Sequence, residues 1–273
     1  MSPLEPIAIL CGGGPHHDYL LARIASRWPV ALAVREPESR QLARVRARAR
    51  KATRRWAGYH ALRRKFCGLD RFRRRYFEPF TAAIGAPEAT KTLTVDDINS
   101  AMAVAALLRV RPTVTLVMGT SILKDEVLCA AVKRVLNVHG GLLPYYRGNH
   151  CVFFALYEGR TDLVGATVHF IDAGVDTGPI VDTVRPPDVS PNELPESAYC
   201  RSVHAAVDCL VVHLERLEAG VPLPSRPQPA GGRTFRIRDR RIGHDLRHLV
   251  RRTAHGPARM LRGLGSVFGP IDR

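Results

Sequence analysis

Two short polar patterns in this chain carry side chains capable of chemistry. In Val135-Leu-Asn137-Val-His139-Gly-Gly, an amide and an imidazole stand at i and i+2 of an apolar run. On a strand they project from the same face, and they lie at its carboxyl end, where open α/β sheets place their ligands. Gly140 and Gly141 permit a sharp exit from that strand. The second pattern, Val168-His-Phe-Ile-Asp172-Ala-Gly-Val-Asp176-Thr-Gly-Pro179, is a loop with two carboxylates and two glycines. Separately, each has a plain reading: a hydrogen-bonded strand histidine, and a turn made from the residues that favour turns.

The elements around these patterns point to a single class of fold. Ile7–Leu10, Cys11-Gly-Gly-Gly14 and a periodic segment from Tyr19 to Arg27 read as strand, tight turn and helix, with Pro29–Val34 as a second strand. Thr94 before Val-Asp-Asp predicts a helix N-cap with acids in the first turn and a buried helix to Leu108. Val114–Met118 predicts a core strand, Asp125–Arg134 a helix and Val135–His139 another strand. His150–Tyr157 reads as helix, Ala166–Ile171 and Ile180–Val184 as strands, and Glu193–Leu217 as a long helix before a proline-rich run from Val221 to Pro229. Strands alternating with helices, and apolar throughout, mean a mostly parallel sheet flanked by helices: an α/β, Rossmann-like architecture.

Asn137-Val-His-Gly-Gly-Leu-Leu-Pro-Tyr-Tyr-Arg-Gly148, followed by Val168–Pro179, resembles the signature of the 10-formyltetrahydrofolate-dependent formyltransferases, a family that includes methionyl-tRNA, glycinamide ribonucleotide and amino-sugar enzymes. Met118-Gly-Thr-Ser-Ile-Leu-Lys-Asp-Glu-Val-Leu128 is similar to the family's folate-contacting strand and loop, and Ile7–Gly14 to its first strand and turn. The likeness is close over roughly residues 110–184. It implies a catalytic trio of Asn137, His139 and Asp176. It implies that backbone groups of Ser121, Ile122, Leu123 and of the loop Asp172, Ala173, Gly174, Val175 hold the pterin. The family often carries an arginine where Ser121 stands. Gly12, Gly13 and Gly14 read equally as a plain tight turn or, by the resemblance, as the place where relatives hold an acceptor phosphate, and Asn149 and His150 are expected to flank the cleft and touch the acceptor.

Formyl transfer requires an amine to attack the formyl carbon, an oxyanion to be held, and a proton to reach the departing folate nitrogen. Asn and His N–H groups aimed at one point suit the oxyanion, such donors being worth on the order of 3 kcal/mol each. Asp176 would then carry protons and would fix the His139 tautomer. No metal is expected: His16-His17-Asp18 are neighbours on a helix and cannot converge on one ion.

Composition divides the chain unevenly. Lys and Arg number 41 against 25 Asp and Glu, a net charge of +16. Residues 35–75 hold 16 basic and 3 acidic residues, and residues 233–273 hold 11 and 3, so the body between them is mildly acidic. A uniformly basic nucleic-acid binder is excluded by this pattern. In the first segment Leu42, Val45, Ala49, Ala52, Trp56, Tyr59, Leu62 and Phe66 recur at spacings of 3 and 4, which predicts one long amphipathic basic helix.

The expected organisation is a catalytic domain over 1–190 with a basic helical insertion at 35–80, a C-terminal helix and proline-rich linker over 191–231, and a basic tail over 232–273. The surplus charge is expected to govern docking and acceptor delivery rather than the reaction. Its apolar stripes, with Leu246, Leu249, Met260, Leu261, Leu264 and Phe268 in the tail, fit packing on the domain, a second subunit or an anionic bilayer.

Six cysteines without a CxxC pair, and an N-terminus lacking a basic-then-apolar leader, predict reduced thiols and a cytoplasmic protein. Methionyl-tRNA members carry an additional β-barrel domain, for which roughly 40 arginine-rich residues after 231 are too few. The expected acceptor is therefore a primary amine on a small, anionic or nucleotide-linked molecule such as an amino sugar, with tRNA as the alternative.

Overall fold

The computed structural model describes residues 4–48, 51–66, 68–85, 90–131 and 134–254. Strands β1 (Ile7–Cys11), β2 (Val30–Arg35), β3 (Thr92–Thr94), β4 (Val114–Met118) and β5 (Arg134–His139) run parallel. After β6 (Tyr146–Gly148), β7 (Ala166–Phe170) and β8 (Ile180–Val184) add antiparallel to the β5 edge. The resulting seven-stranded order is β3-β2-β1-β4-β5-β7-β8. The order reverses between β1 and β4, and at such switch points parallel sheets open a ligand crevice at their carboxyl ends.

Both faces of the sheet are covered, which is why β1 and β4 are buried at every position. One face meets α1 (Pro15–Ala25) and the 24-residue α8 (Pro195–Glu218), with Phe77 fully buried among them. The other meets α5 (Ala101–Val110) and α6 (Asp125–Ala130). No helix among the described residues is long and apolar enough to cross a membrane.

One reading of the sequence is corrected. The helix expected from Thr94 begins at Ala101: Ser100 is its N-cap, its hydroxyl accepting from the Ala103 N–H at 3.3 Å. Thr94 instead ends β3, an edge strand too short to show period-two alternation. Over the expected basic helix of 42–66 the described residues form α2 (Glu38–Arg48) and α3 (Lys51–Phe66), with 49 and 50 outside the described residues, and a further helix, α4 (Leu69–Ile84), follows. Gly68, in the left-handed region at φ 57°, turns the chain into α4. Leu62 is exposed and Tyr59 half-buried, while the side chains of Val45, Ala49, Ala52, Trp56 and Phe66 lie outside the described residues.

Within the segment 232–273, β9 (Arg233–Phe235) pairs parallel with β6, and α9 (Ile242–Ala254) follows. This part is anchored on α7 (Cys151–Tyr157). Phe235 stacks on Phe154 with centroids 3.9 Å apart, and the Arg240 guanidinium lies 3.5 Å from the Phe153 ring centre. Met260, Leu261, Leu264 and Phe268 lie outside the described residues.

Candidate active site

The carboxyl ends of β1, β4 and β5 open into one cavity of about 450 Å³. β5 delivers Asn137 and His139 from the same face, as the strand period requires, and the loop after β7 returns Asp176 over them. The Asn137 Nδ2 donates to Asp176 Oδ1 at 3.3 Å, and His139 Nδ1 stands 3.4 Å from Asp176 Oδ2. The three residues thus converge although 39 positions separate the first from the last.

Asp176 is held by backbone as well as side chains. Gly148 N–H donates to its Oδ2 at 2.8 Å. Gly148 has φ +81°, and a Cβ there would lie 2.1 Å from the Phe235 carbonyl oxygen, so only glycine brings this N–H to the carboxylate. Gln228 Nε2 donates to the carbonyls of Asp176 and Gly178, at 2.9 and 2.7 Å, clamping the loop from behind. Within the loop, Asp172 Oδ1 accepts from Gly174 N–H and the Thr177 hydroxyl, an Asx turn.

Burial pushes the Asp176 carboxyl up, but His139, His169 and the Gly148 N–H overcome it and hold it well below the usual carboxylate range. It is an anion at neutral pH. His139 is pushed down by burial, against the pull of Asp176. Its Nε2 lies 3.0 Å from the Tyr146 carbonyl oxygen, so the ring stands between two acceptors. Only the imidazolium donates to both at once, which makes this histidine responsive to charge developing beside it.

The expected convergence of the two N–H donors on one open point is not what the fold displays. Asn137 Nδ2 is shared between Asp176 Oδ1 and His169 Nε2, the latter at 3.0 Å, and His139 Nε2 faces Tyr146. Buried donors are satisfied by the nearest protein acceptors. Binding an oxyanion therefore requires one amide proton of Asn137 to exchange partners.

His169 itself went unremarked in the sequence. Its Nδ1 lies 2.7 Å from the Phe170 carbonyl oxygen, and its Nε2 lies 3.0 Å from Asn137 Nδ2 and 3.4 Å from Asp176 Oδ1. Its position two strand residues before the acidic loop was the available signal. Gln228, 52 positions from Asp176 in a proline-rich run, offered none.

The wall beside β4 carries Ser121, Ile122 and Leu123, and the facing loop carries Asp172, Gly174 and Val175; Ala173 is in that loop but outside the cavity lining. Ile122 and Val175 are exposed apolar side chains, at 69% and 38%, on the cavity lining. The loop before Leu123 is fixed by Glu36, whose fully buried carboxylate accepts from Ser121 N–H at 2.7 Å and Ile98 N–H at 3.0 Å. Arg44 of α2 pairs with Glu36 and donates to the Ser121 hydroxyl at 2.8 Å. The insertion thus places a guanidinium against Ser121.

Gly12, Asn149 and His150 also line the cavity, whereas Gly13 and Gly14 do not. His16 and His17 are buried side by side, their rings 3.8 Å apart. Three side chains among the described residues have metal-ligand spacing, Asp182, Cys209 and His213, and none of them lines this cavity.

The model of a formyl transferase domain matches residues 73–214, more than half of the chain. The chain belongs to the formyl transferase family. Among curated members, the methionyl-tRNA formyltransferases of Burkholderia vietnamiensis and Anaeromyxobacter dehalogenans are 32% and 30% identical over 168 and 167 residues. Those matches take in 60% and 61% of this chain but 50% and 53% of theirs, so the chain spans about half the length of these relatives.

Solved structures share the fold. A sugar N-formyltransferase from Shewanella superposes with a TM-score of 0.57 at 15% identity, covering 90% of this chain and 87% of its own. Glycinamide ribonucleotide transformylase 1 from Symbiobacterium toebii gives 0.52 at 23%, covering 81% and 92%. The family match ends upstream at residue 73, which leaves most of the α2–α3 insertion outside it.

That insertion corrects the expectation that the surplus charge stands apart from the chemistry. Arg63 and Arg64 of α3 and Arg73 of α4 line the same cavity as the trio.

Proposed function

We propose that this protein transfers a formyl group from 10-formyltetrahydrofolate to a primary amine on a small, anionic or nucleotide-linked acceptor. The observation that carries the reading is Asp176, a buried carboxylate kept ionised within reach of Asn137 and His139 in a cavity walled on one side by apolar residues and on the other by arginines.

In this reading the pterin lies in the slot between Ser121–Leu123 and Asp172–Val175. The acceptor amine attacks the formyl carbon, and its nitrogen becomes the new amide. Asn137, released from one of its two acceptors, donates to the tetrahedral oxyanion. Collapse breaks the bond between the formyl carbon and the folate nitrogen N10. The proton lost by the amine passes through Asp176, directly or by way of a water, to N10, so that one proton moves and no covalent enzyme intermediate forms. His139, between Asp176 and the Tyr146 carbonyl, holds the carboxylate in place and answers the charge of the intermediate.

A small acceptor is favoured over tRNA because Arg63, Arg64 and Arg73 of the insertion line the cavity that holds the trio. The names of the sequence relatives favour tRNA as the second reading. Incubation of the full chain and 10-formyltetrahydrofolate with a panel of amines, nucleotide-linked amino sugars and charged initiator tRNA distinguishes them by mass spectrometry. A formyl increment on a small amine supports the first reading, on tRNA alone the second, and on neither, with folded protein, refutes both.

A further inference from the structure

Opposite the folate-facing wall, the cavity is closed by α3, α4 and the segment Ile237–Arg240. Four arginines line it: Arg63, Arg64, Arg73 and Arg240. Three are neutralised by carboxylates, Arg64 by Glu38 and Asp70, Arg73 by Glu196, and Arg240 by Asp245. Arg63 differs. Among the described residues no carboxylate lies within 4.0 Å of it, its buried Nε has no hydrogen-bond partner, and its Nη2 meets only a ring nitrogen, His60 Nδ1, at 3.4 Å. Burial and Arg240 push its pKa below the ordinary arginine range, against the more distant Asp245 and Glu196, so an anion in direct contact would stabilise it further.

A second unpaired buried nitrogen stands beside it. His60 stacks face to face on His150, rings 5.0 Å apart and 11° from parallel. The His150 Nε2 is shielded from water and has no hydrogen-bond partner. Burial, with Arg240 and Arg63 nearby, pushes the His150 pKa well below its usual value, so the neutral ring carries a single N–H. His150 holds the left-handed conformation at φ 59°, a costly backbone state for a residue with a Cβ, of the kind found where a site imposes it. It stands two residues after Gly148, whose N–H anchors Asp176.

We propose that Arg63 and His150 form an oxyanion subsite for the acceptor, taking a phosphate or carboxylate group of the amine substrate against the α3 wall. The assignment rests on the formyl-transfer reading for the word acceptor, but not for the anion. Arg63 supplies charge and an N–H, and His150 a second N–H from the strand side. The group so held places the rest of the molecule toward Asp176. The subsite makes the insertion a specificity element of this chain.

Isothermal titration of the full chain with pyrophosphate, with a short dicarboxylate, and separately with 5-formyltetrahydrofolate tests this. The expected result is pyrophosphate or dicarboxylate binding that weakens by about tenfold or more in Arg63→Gln, recovers in part in Arg63→Lys, and weakens also in His150→Phe. The 5-formyltetrahydrofolate affinity stays unchanged in all three, and pyrophosphate does not compete with it. The stronger of the two anion probes identifies the group as phosphate or carboxylate. Anion binding that is absent, or indifferent to Arg63→Gln, overturns the proposal, as does competition with the folate, which would assign Arg63 to the folate tail. Anion binding without any folate binding would leave the subsite standing and sink the formyl-transfer reading instead.

Discussion

Replacing Asp176 by Asn removes the charge on which the proposed proton transfer depends while changing the shape of the site very little. The amide oxygen can still accept the Gly148 N–H now found at 2.8 Å, so the loop keeps its main anchor. The NH₂ group then stands in place of Oδ1, facing the Asn137 Nδ2 and the His169 Nε2, and the carboxylate that receives the amine proton is gone. A positioned acid–base group contributes about 10²–10⁴-fold, or roughly 3–5 kcal/mol of barrier. We expect kcat to fall about 10³-fold with 5-formyltetrahydrofolate affinity within about twofold of wild type. Release of tetrahydrofolate under saturating acceptor measures the first and isothermal titration the second. Because the folded carboxyl is held below its unfolded value, its contribution to stability is present above about pH 4 and fades in stronger acid. Wild type and variant should therefore differ in urea midpoint at pH 7 and approach each other in strong acid. A folded variant that loses less than tenfold in kcat would refute the assignment of the proton route to Asp176.

Burial, reinforced by Arg73 and Arg35, pushes the His17 pKa down to about 3, whereas an unfolded histidine titrates near 6.5. As pH falls from 6.5 toward 3 the unfolded state binds the extra proton, so this ring costs about 1.4 kcal/mol of stability per pH unit. His17→Gln should flatten the fall in urea midpoint between pH 7 and 5, and equal slopes would contradict this. Gly148→Ala forces a Cβ to 2.1 Å from the Phe235 carbonyl; we expect a lower melting temperature by calorimetry and a loss of kcat exceeding tenfold, and a variant with normal kcat would contradict the anchoring of Asp176. Arg44→Met strips a buried Glu36 carboxylate of its partner, which should cost about 3–5 kcal/mol in denaturant titrations and weaken 5-formyltetrahydrofolate binding through the Ser121 loop. Unaltered folate affinity in the folded fraction would disconnect that network from the pterin slot.

Much of this was legible because it is local. The i and i+2 placement of Asn137 and His139 follows from strand geometry alone, and the apolar runs at Ile7–Cys11 and Val114–Met118 can only be central strands. What escaped was set by contacts between distant segments. Thr92–Thr94 is a strand because β2 offers it an edge, and Tyr146–Gly148 because Arg233–Phe235 lies beside it. The arginine-rich stretch repeats at helical spacing, but periodicity could not show that α3 and α4 bring Arg63, Arg64 and Arg73 to the crevice. Arg44 and Arg63, separated in the sequence from every motif, acquire their places only from that fold. Gln228 reaches Asp176 by the same kind of return.

The central claim is that one formyl carbon moves from a folate nitrogen to an acceptor amine at the site formed by Asn137, His139 and Asp176. Isotopically labelled 10-formyltetrahydrofolate, incubated with the full chain and the amine panel, tests it most directly. The account predicts labelled formyl on the amine nitrogen, equimolar with tetrahydrofolate released, and no labelled amide with a folded Asn137→Ala variant. Label recovered only as free formate, or an amide formed equally well by that variant, would contradict it.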